Sequence, residues 1–540
     1  MTASYNRPWE QDTSKLSKLE LVKLERDGLD IINLIKEKGH LGYDAFSEED
    51  LGFFKWAGVY EQKPKDGHFM MRVRIPSGVL RTDQVRALAE ISRDYGRNLL
   101  DVTTRQAVQF HWLRAEHLPD IFDRLERVGL FSYQACGDVP RTIIGNPLAG
   151  IDPNELLDTR ELVSQLESFF LLNRDFSNLP RKYKVSVSSN VYNTAHAEIN
   201  DLAFTPATKQ IDGNEVVGFH VWVGGGLSAK PYLAQQLDLF ASPEDVLRVA
   251  KGVTEIFRDF GFREKRNHAR LKFLVADWGA EKFLEKLVEY IGPIPTRGED
   301  QIKGWNAGYF TGVHKQKQPE LNYVGLLLPV GRLSSDDFLE IARLADTYGD
   351  GSVRTCNSQN LLIANVHDDK LTGLLGEPLL ERLTPYPRTF IGHAVSCTGN
   401  EFCNLAIVET KERMKSIATW LDENVKIDVP IRMHVNGCPN SCGQQQIADI
   451  GLQGALVKTA NGMTDAFDIF VGGSLGPDAA FNQKLKGRVL GDRIAPVLGS
   501  LIEQYKANRL AEEKFHQYVR RVGVTTVQQQ LDEILAAIPS

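Results

Sequence analysis

The chain has 540 residues, 42% of them hydrophobic and 25% charged, with a formal net charge of −7. Such a length exceeds what one hydrophobic core organises, so roughly two to four domains are expected, and the acidic balance argues against general nucleic-acid binding while leaving room for a local basic cleft. No apolar run is long enough to span a bilayer, and the charged N-terminal stretch does not read as a secretory signal. The expectation is a cytoplasmic protein without membrane association, in which clustered cysteines mean metal or redox chemistry rather than disulfides.

The first predicted element in the duplicated part of the chain is a half-buried strand, in which Phe69, Met71, Val73 and Ile75 alternate with Met70, Arg72 and Arg74. A glycine turn follows. Thr82 stands in N-cap position for a helix with Val85, Leu88, Ala89 and Tyr95 on its apolar face, and Gly96 ends it as a residue that tolerates positive φ. A second strand is predicted near Ala107–Trp112. All of this then recurs. "IPSGVLRTDQVRALAEISRDYGRNLLDVTTRQ" (Ile75–Gln106) is matched without a gap by "LPVGRLSSDDFLEIARLADTYGDGSVRTCNSQ" (Leu328–Gln359), at a constant offset of 253 that pairs Pro76 with Pro329, Gly96 with Gly349 and Gln106 with Gln359. In the second copy Ser335 takes the N-cap position, Phe338, Ile341, Ala342 and Tyr348 the helical face, and Leu361–Val366 the second strand.

Further along, "PRTIIG" (Pro140–Gly145) returns as "PRTFIG" (Pro387–Gly392), "INDLA" (Ile199–Ala203) as "IADIG" (Ile447–Gly451), and "FHVWVGGGLS" (Phe219–Ser228) as "FDIFVGGSLG" (Phe467–Gly476), at offsets of 247 or 248. From about residue 65 to 480 the chain is therefore a tandem duplication of a mixed α/β module. Two such halves should be related by a pseudo-twofold axis, and their interface suits a large ligand.

Four cysteines break the symmetry. Cys397 and Cys403 bound "CTGNEFC", Cys438 and Cys442 lie in "NGCPNSCG", and 34 residues separate the pairs. At offset 248, Cys438 aligns with Asn190 and Cys442 with Thr194, so the module folds without these thiols and their role is chemical. Four thiolates suit zinc or an iron–sulfur cluster. The C-x5-C spacing counts against zinc knuckles and does not match the common ferredoxin runs, so spacing alone leaves the chemistry open. Cys136 and Cys356 have no paired spacing and read as buried structural thiols.

"CTGNEFCNLAIVETK" and "HVNGCPNSCGQQQIADIG", with "PRTIIGNPLAGID", "LPRKYK", "HAEINDLAF" and "ARLKFLVADWG" in the same order, resemble segments of the sirohaem-dependent nitrite and sulfite reductases. The resemblance spans nearly the whole chain. It implies an α+β protein of tandem-duplicated α/β modules, with three domains arranged around a sirohaem. The expected segments are an N-terminal helical extension (1–64), a first ferredoxin-like half-repeat (65–134), a first sirohaem-binding domain (135–320), a second half-repeat (321–385), a second sirohaem domain carrying the cluster (386–505) and a helical tail (506–540). It further implies that Cys397, Cys403, Cys438 and Cys442 hold a [4Fe–4S] cluster, Cys442 also bridging to the sirohaem iron. Arg105, Arg141, Lys182 and Lys184 match the family's substrate-pocket positions, with Arg105 and Arg141 also serving the sirohaem.

Several features refine this picture. Lys182 and Lys184 are two apart, so on a strand they share a face. Ser358 stands in the second copy where Arg105 stands in the first, which leaves one active site. Gly224, Gly225, Gly472 and Gly473 either cradle cofactor carboxylates with their N–H groups or form tight turns. Val139 stands where some sulfite-reducing members carry a cysteine cross-linked to tyrosine. The duplicated core leaves no space for a flavin or nicotinamide domain, and no G-x-G-x-x-G fingerprint is present, so electrons are expected from ferredoxin acting on a monomer. Ferredoxins are acidic, and "ETKERMK" offers Lys411, Arg413 and Lys415 as a dock near the cluster. Lys184 adds an ammonium group that favours the more charged anion, so sulfite is ranked ahead of nitrite as substrate. The rivals are a zinc-stapled binding protein and a plain iron–sulfur carrier, the latter needing neither a cationic pocket nor so large a scaffold.

Overall fold

The computed structural model describes residues 8–460 and 462–537. The outermost residues of the expected extension (1–64) and tail (506–540) lie outside the described residues.

The two half-repeats form a pair of antiparallel sheets that complete one another. The first runs Val59–Glu61, Phe69–Val73, Val108–Leu113, Leu100–Val102, and ends on Arg332–Leu333 from the second half. The other runs Gly312–Lys315, Leu321–Leu326, Leu361–His367, Ser352–Thr355, and ends on Val79–Arg81 from the first half. The registers correspond across the duplication: Arg332 pairs with Asp101, and Val79 with Arg354. The helices Thr82–Tyr95 and Ser335–Tyr348 pack on each other. Each exchanged strand follows a tight turn in which Ser77 and Val330 both have φ 51°, followed by Gly78 at 72° and Gly331 at 75°. A Cβ on Gly78 would lie 2.1 Å from the Thr355 carbonyl oxygen, so the crossing permits no side chain there.

The remaining two sheets are mixed and equivalent. In one, the long hairpin Leu202–Ile211/Asn214–Val223 continues through Val185–Val187 and Ile144–Gly145, both parallel, with Gln235–Ala241 on the far side. In the other, Ile450–Thr459/Gly462–Val471 continues through Met433–Asn436 and Ala394–Ser396, with Gln483–Leu490 outermost. Val185 pairs with Leu202 as Met433 pairs with Ile450, at the offset of 248 read from sequence.

Three large hydrophobic cores and two small clusters result among the described residues. One joins the N-terminal helices to both half-repeats through residues such as Ile31, Phe54, Phe69, Leu88, Phe110, Phe338 and Ile363. The second lies between Ile143 and Leu287. The third contains Phe390, Met433 and Phe467 together with Phe515, Tyr518 and Leu531 of the C-terminal helices. These helices thus belong to the third core.

Two local expectations are corrected. The helices begin at Thr82 and Ser335, so the caps are Arg81 and Ser334; Ser334 Oγ accepts the Asp337 N–H (3.1 Å), while Thr82 Oγ1 donates to Asp346 Oδ1 (2.7 Å) across the pseudo-twofold. Gly96 and Gly349 do end the helices, but with φ of −104° and −112°. Close approach explains Gly349, where a Cβ would sit 2.5 Å from the Ala364 carbonyl oxygen.

Candidate active site

The four cysteines lie on two loops leaving adjacent parallel strands. Cys397 follows Ala394–Ser396, and its N–H donates to the Val435 carbonyl (3.1 Å). The loop to Cys403 closes with Cys403 N–H on Gly399 O (3.0 Å), then crosses the other loop through Ile407 N–H on Gly437 O (3.0 Å). Cys438 and Cys442 follow Met433–Asn436. Gly437 N–H donates to Cys397 Sγ (3.2 Å), a contact that favours a thiolate. Gly443 is required by approach: a Cβ would meet Val435 O at 2.7 Å and Cys397 N at 3.0 Å. The first half-repeat also reaches these loops, with Thr104 Oγ1 donating to the Cys442 carbonyl (2.9 Å) and Gln109 Nε2 to Thr398 Oγ1 (3.3 Å).

Cys442 is exposed, whereas the other three are partly buried. Burial and the neighbouring Cys442 push the Cys397 thiol up to about 12, against the hydrogen bonds from Gly437 and Gly399. Burial likewise raises Cys438, with Cys442 and Cys403 adding to it. The four sulfurs therefore lie within electrostatic reach of one another as a group. Among the described residues no three His, Cys, Asp or Glu side chains close around one ion-sized point. A four-iron cluster takes each thiolate at a separate iron, so this donor set suits a cluster better than a single zinc.

The basic residues gather beside Cys442. Arg105 donates from Nη1 to Asn200 Oδ1 (2.8 Å) and from Nη2 to the Thr142 carbonyl (2.9 Å), leaving its Nε buried without a partner among the described residues. Burial, and then Arg141, lower it to about 9. Arg141 is held by its own loop, with Nε and Nη2 on Gly137 O (3.1 and 2.7 Å) and Nη1 on Ala135 O (3.0 Å). Lys182 and Lys184 flank the buried Tyr183 on extended chain leading into Val185–Val187 and so share a face. Among the described residues neither ammonium has a hydrogen-bond or ion-pair partner; Lys184 is fixed by its backbone N–H on Asp201 Oδ2 (2.9 Å). Burial, then Arg270, bring Lys182 down to about 7, with Cys442 opposing. Burial, then Arg105, Lys182 and Arg270, hold Lys184 well below the usual lysine range.

Three members of this site are not singled out by the sequence, although Asp201 lies in "HAEINDLAF" and Arg270 in "ARLKFLVADWG". Arg72 donates from Nε and Nη2 to Gln109 Oε1 (3.0 and 2.6 Å) and from Nη1 to Cys136 Sγ (3.7 Å); burial disfavours its charge, but Cys136, Tyr60, Cys442 and Cys403 more than offset that. Asp201 and Arg270 form a buried pair beneath the lysines (2.7 Å). The repeat of "IND" as "IAD" could have flagged Asp201, since its counterpart Asp449 is also paired. Cys136 is therefore more than core filling, whereas Cys356 is fully buried and its thiol is pushed up by that burial.

Two expectations fail on geometry. The N–H groups of Gly224, Gly225, Gly472 and Gly473 donate to the carbonyls of Asp201, Asn200, Asp449 and Ala448 at 2.9–3.0 Å. These glycines make tight turns, with Gly224 at φ 80° and Gly472 at 89°, and their amides are not open to a carboxylate. The proposed dock also dissolves. Lys411 is 1% exposed and donates to the Val330 carbonyl (2.5 Å) beside Asp101 (3.4 Å), Arg413 donates to the Gly491 carbonyl (3.0 Å), and Lys415 alone of the three is exposed.

The residues fit the groups implied by the sequence. Two thiol pairs on glycine-packed loops match a cluster. The cationic set of Arg72, Arg105, Arg141, Lys182 and Lys184 beside Cys442, with one orphaned guanidinium nitrogen, matches a polycarboxylate macrocycle and an anion.

Comparison with known proteins agrees. The family model "Nitrite and sulphite reductase 4Fe-4S domain" matches residues 136–294 and 389–538, and "Nitrite/Sulfite reductase ferredoxin-like half domain" matches 60–128 and 314–380. The ferredoxin–nitrite reductase of Synechococcus elongatus is 42% identical, over 92% of this chain and 98% of its own. The assimilatory ferredoxin-dependent nitrite reductase of Haloferax mediterranei is 39% identical, over 89% and 87%. The solved structure of the Mycobacterium tuberculosis NirA protein superposes with a TM-score of 0.89 at 34% identity, covering 96% of this chain and 97% of that one.

Proposed function

Because this chain belongs to the nitrite and sulphite reductase family, we propose that it reduces nitrite to ammonia with electrons from ferredoxin. As an oxidoreductase of this family its cofactors are a [4Fe–4S] cluster and sirohaem. Cys397, Cys403, Cys438 and Cys442 would hold the cluster, Cys442 would be shared with the sirohaem, and Arg72, Arg105 and Arg141 would face the macrocycle's carboxylates. When bound, these groups supply the electron path and the iron at which the anion is reduced. Among the described residues no helix is long and apolar enough to cross a membrane.

The observation that carries this reading is the pair of partnerless ammonium groups beside Arg105 and next to the Cys442 loop. Arg105 offsets the charge of the anion and orients its oxygens. Lys182, brought near neutrality, gives a proton to an oxygen that leaves as water and regains it from solvent. Lys184 adds a second proton source on the same face.

The ranking of sulfite over nitrite is not carried forward. It rested on Lys184 as an extra positive charge, but burial and three cationic neighbours hold that ammonium well below its usual range. That weakens the Coulombic preference for a dianion, and relatives matching nearly the full chain are named as nitrite reductases. One preparation assayed with one donor tests the reading. We expect a higher kcat/KM for nitrite than for sulfite; an equal or higher value for sulfite overturns it.

A further inference from the structure

The segment that carries the pocket lysines exists twice, and its two copies keep the same backbone while their side chains differ, at the position of Lys184 among others. Arg432 occupies the place of Lys184. Their backbones agree closely: Arg432 N–H donates to Asp449 Oδ2 (3.0 Å) as Lys184 N–H does to Asp201 Oδ2 (2.9 Å). Ile450 N–H donates to Arg432 O (3.0 Å) as Leu202 N–H does to Lys184 O (3.1 Å), and Gly472 and Gly224 each donate to the carbonyl of the matching aspartate at 2.9 Å.

The side chains then part. Arg432 folds onto its own aspartate, with Nε on Asp449 Oδ2 and Nη2 on Oδ1, both at 2.7 Å. In the first copy Asp201 is clamped by a different residue. Arg270 places Nε on Oδ1 (3.0 Å) and Nη2 on Oδ2 (2.7 Å), arriving from the segment just before the helix Leu271–Ile291. Its guanidinium fits against Gly226, where a Cβ would come within 2.8 Å of Nη2. Asp201 is fully buried and Arg270 is 7% exposed. A buried carboxylate draws in whatever cation is within reach, because leaving it unpaired is strongly unfavourable.

We infer that Arg270 is a positioning residue: by occupying both oxygens of Asp201, it leaves the ammonium of Lys184 free to face the anion pocket. The inference rests on the pocket reading proposed above. The charged groups around Lys184 are Arg105, Lys182, Arg270 and Asp201. Removing Arg270 both vacates the carboxylate and removes one repelling cation, and each change drives Lys184 onto Asp201.

The test uses the cofactor-loaded enzyme with Arg270→Met. Its crystal structure should show Lys184 Nζ hydrogen-bonded to Asp201. Nitrite affinity, read without turnover from the shift in haem absorption, should weaken about tenfold, the same factor as in Lys184→Met. Adding Asp201→Asn, which removes the attracting charge, should restore most of that loss, a recovery that a merely structural defect would not show. If Arg270→Met does not accumulate folded, Arg270→Gln keeps a hydrogen bond but not the cation and takes both readouts. Lys184 remaining away from Asp201, unchanged nitrite affinity, or no recovery in the double variant overturns the inference. If Lys184 moves as expected but neither variant nor wild type binds nitrite, the pocket reading fails and the positioning role stands.

Discussion

The loops 188–196 and 436–444 share one backbone and carry different chemistry. Asn193 and Ser441, at matching positions, have φ of 48° and 55°, and His196 and Gln444 have 54° and 61°. The carbonyl of Thr194 is held by Asn357 Nδ2 (2.7 Å), and that of Cys442 by Thr104 Oγ1 (2.9 Å), again from matching positions. Around the first loop the protein fills the space with its own groups. His196 packs on Trp305 (5.5 Å between rings) and approaches Asn357 Nδ2 (3.2 Å), and burial lowers His196 to about 3 and His434 to about 4, so both rings are neutral. Around the second loop, Cys442 is exposed and lies within electrostatic reach of Lys182, whose ammonium has no partner among the described residues. The strained loop is therefore a property of the module, with thiols placed on it in the second copy and pocket cations beside it in the first.

The strongest way to break the comparison is to remove the thiol that distinguishes the loops. Cys442→Ser should abolish nitrite reduction and remove both cluster and haem absorption, while Thr194→Ala at the matching site leaves both chromophores in place. Equal losses in the two variants would overturn the assignment. Next in size, Arg105→Ser gives the first copy the residue that Ser358 provides in the second. Loss of a charged contact of about 1.5–3 kcal/mol should lower kcat/KM for nitrite by roughly ten- to a hundredfold. Haem content measured alongside separates this from cofactor loss.

A subtler probe is pH. Lys182 is lowered from the ordinary lysine value to about 7, chiefly by burial, so its proton is present below that pH and lost above it. As a proton donor it should make kcat/KM for nitrite fall as pH rises through about 7, and Lys182→Met should lower the plateau and erase that limb. A limb unchanged in the variant assigns it to another group. The smallest effects belong to the discarded dock. Lys411→Met should cost about 2–3 kcal/mol of stability, read as a lower Tm, because Asp101 loses one buried cation but keeps Arg332. Lys415→Gln should alter the KM for ferredoxin by less than about twofold, as expected of one exposed charge.

The sequence made the duplication legible because Pro76, Gly96, Gln106 and their counterparts sit where turns and crossings tolerate few substitutes. Gln106 and Gln359 each donate to a carbonyl of the opposite half, Thr355 and Val102. The cysteine loops were legible for the same reason. The role of Arg270 was not: it lies in the segment "ARLKFLVADWG", but 69 residues from Asp201, and nothing in the sequence pairs the two. The exchanged strands Val79–Arg81 and Arg332–Leu333 are too short to show alternation. "ETKERMK" reads as a solvated helix start, and only tertiary packing reveals that Lys411 points at Asp101.

The strand exchange between the half-repeats acts as a ratchet on the history of the molecule. Once each half supplies the closing edge of the other's sheet, neither can be lost by deletion, however far its own pocket decays. A half produced alone would present a bare strand edge, the geometry that recruits other chains into aggregates. The second copy is therefore kept for its edge strand as well as for its four cysteines, and only its anion-pocket positions, such as Ser358 and Arg432, were released to other roles.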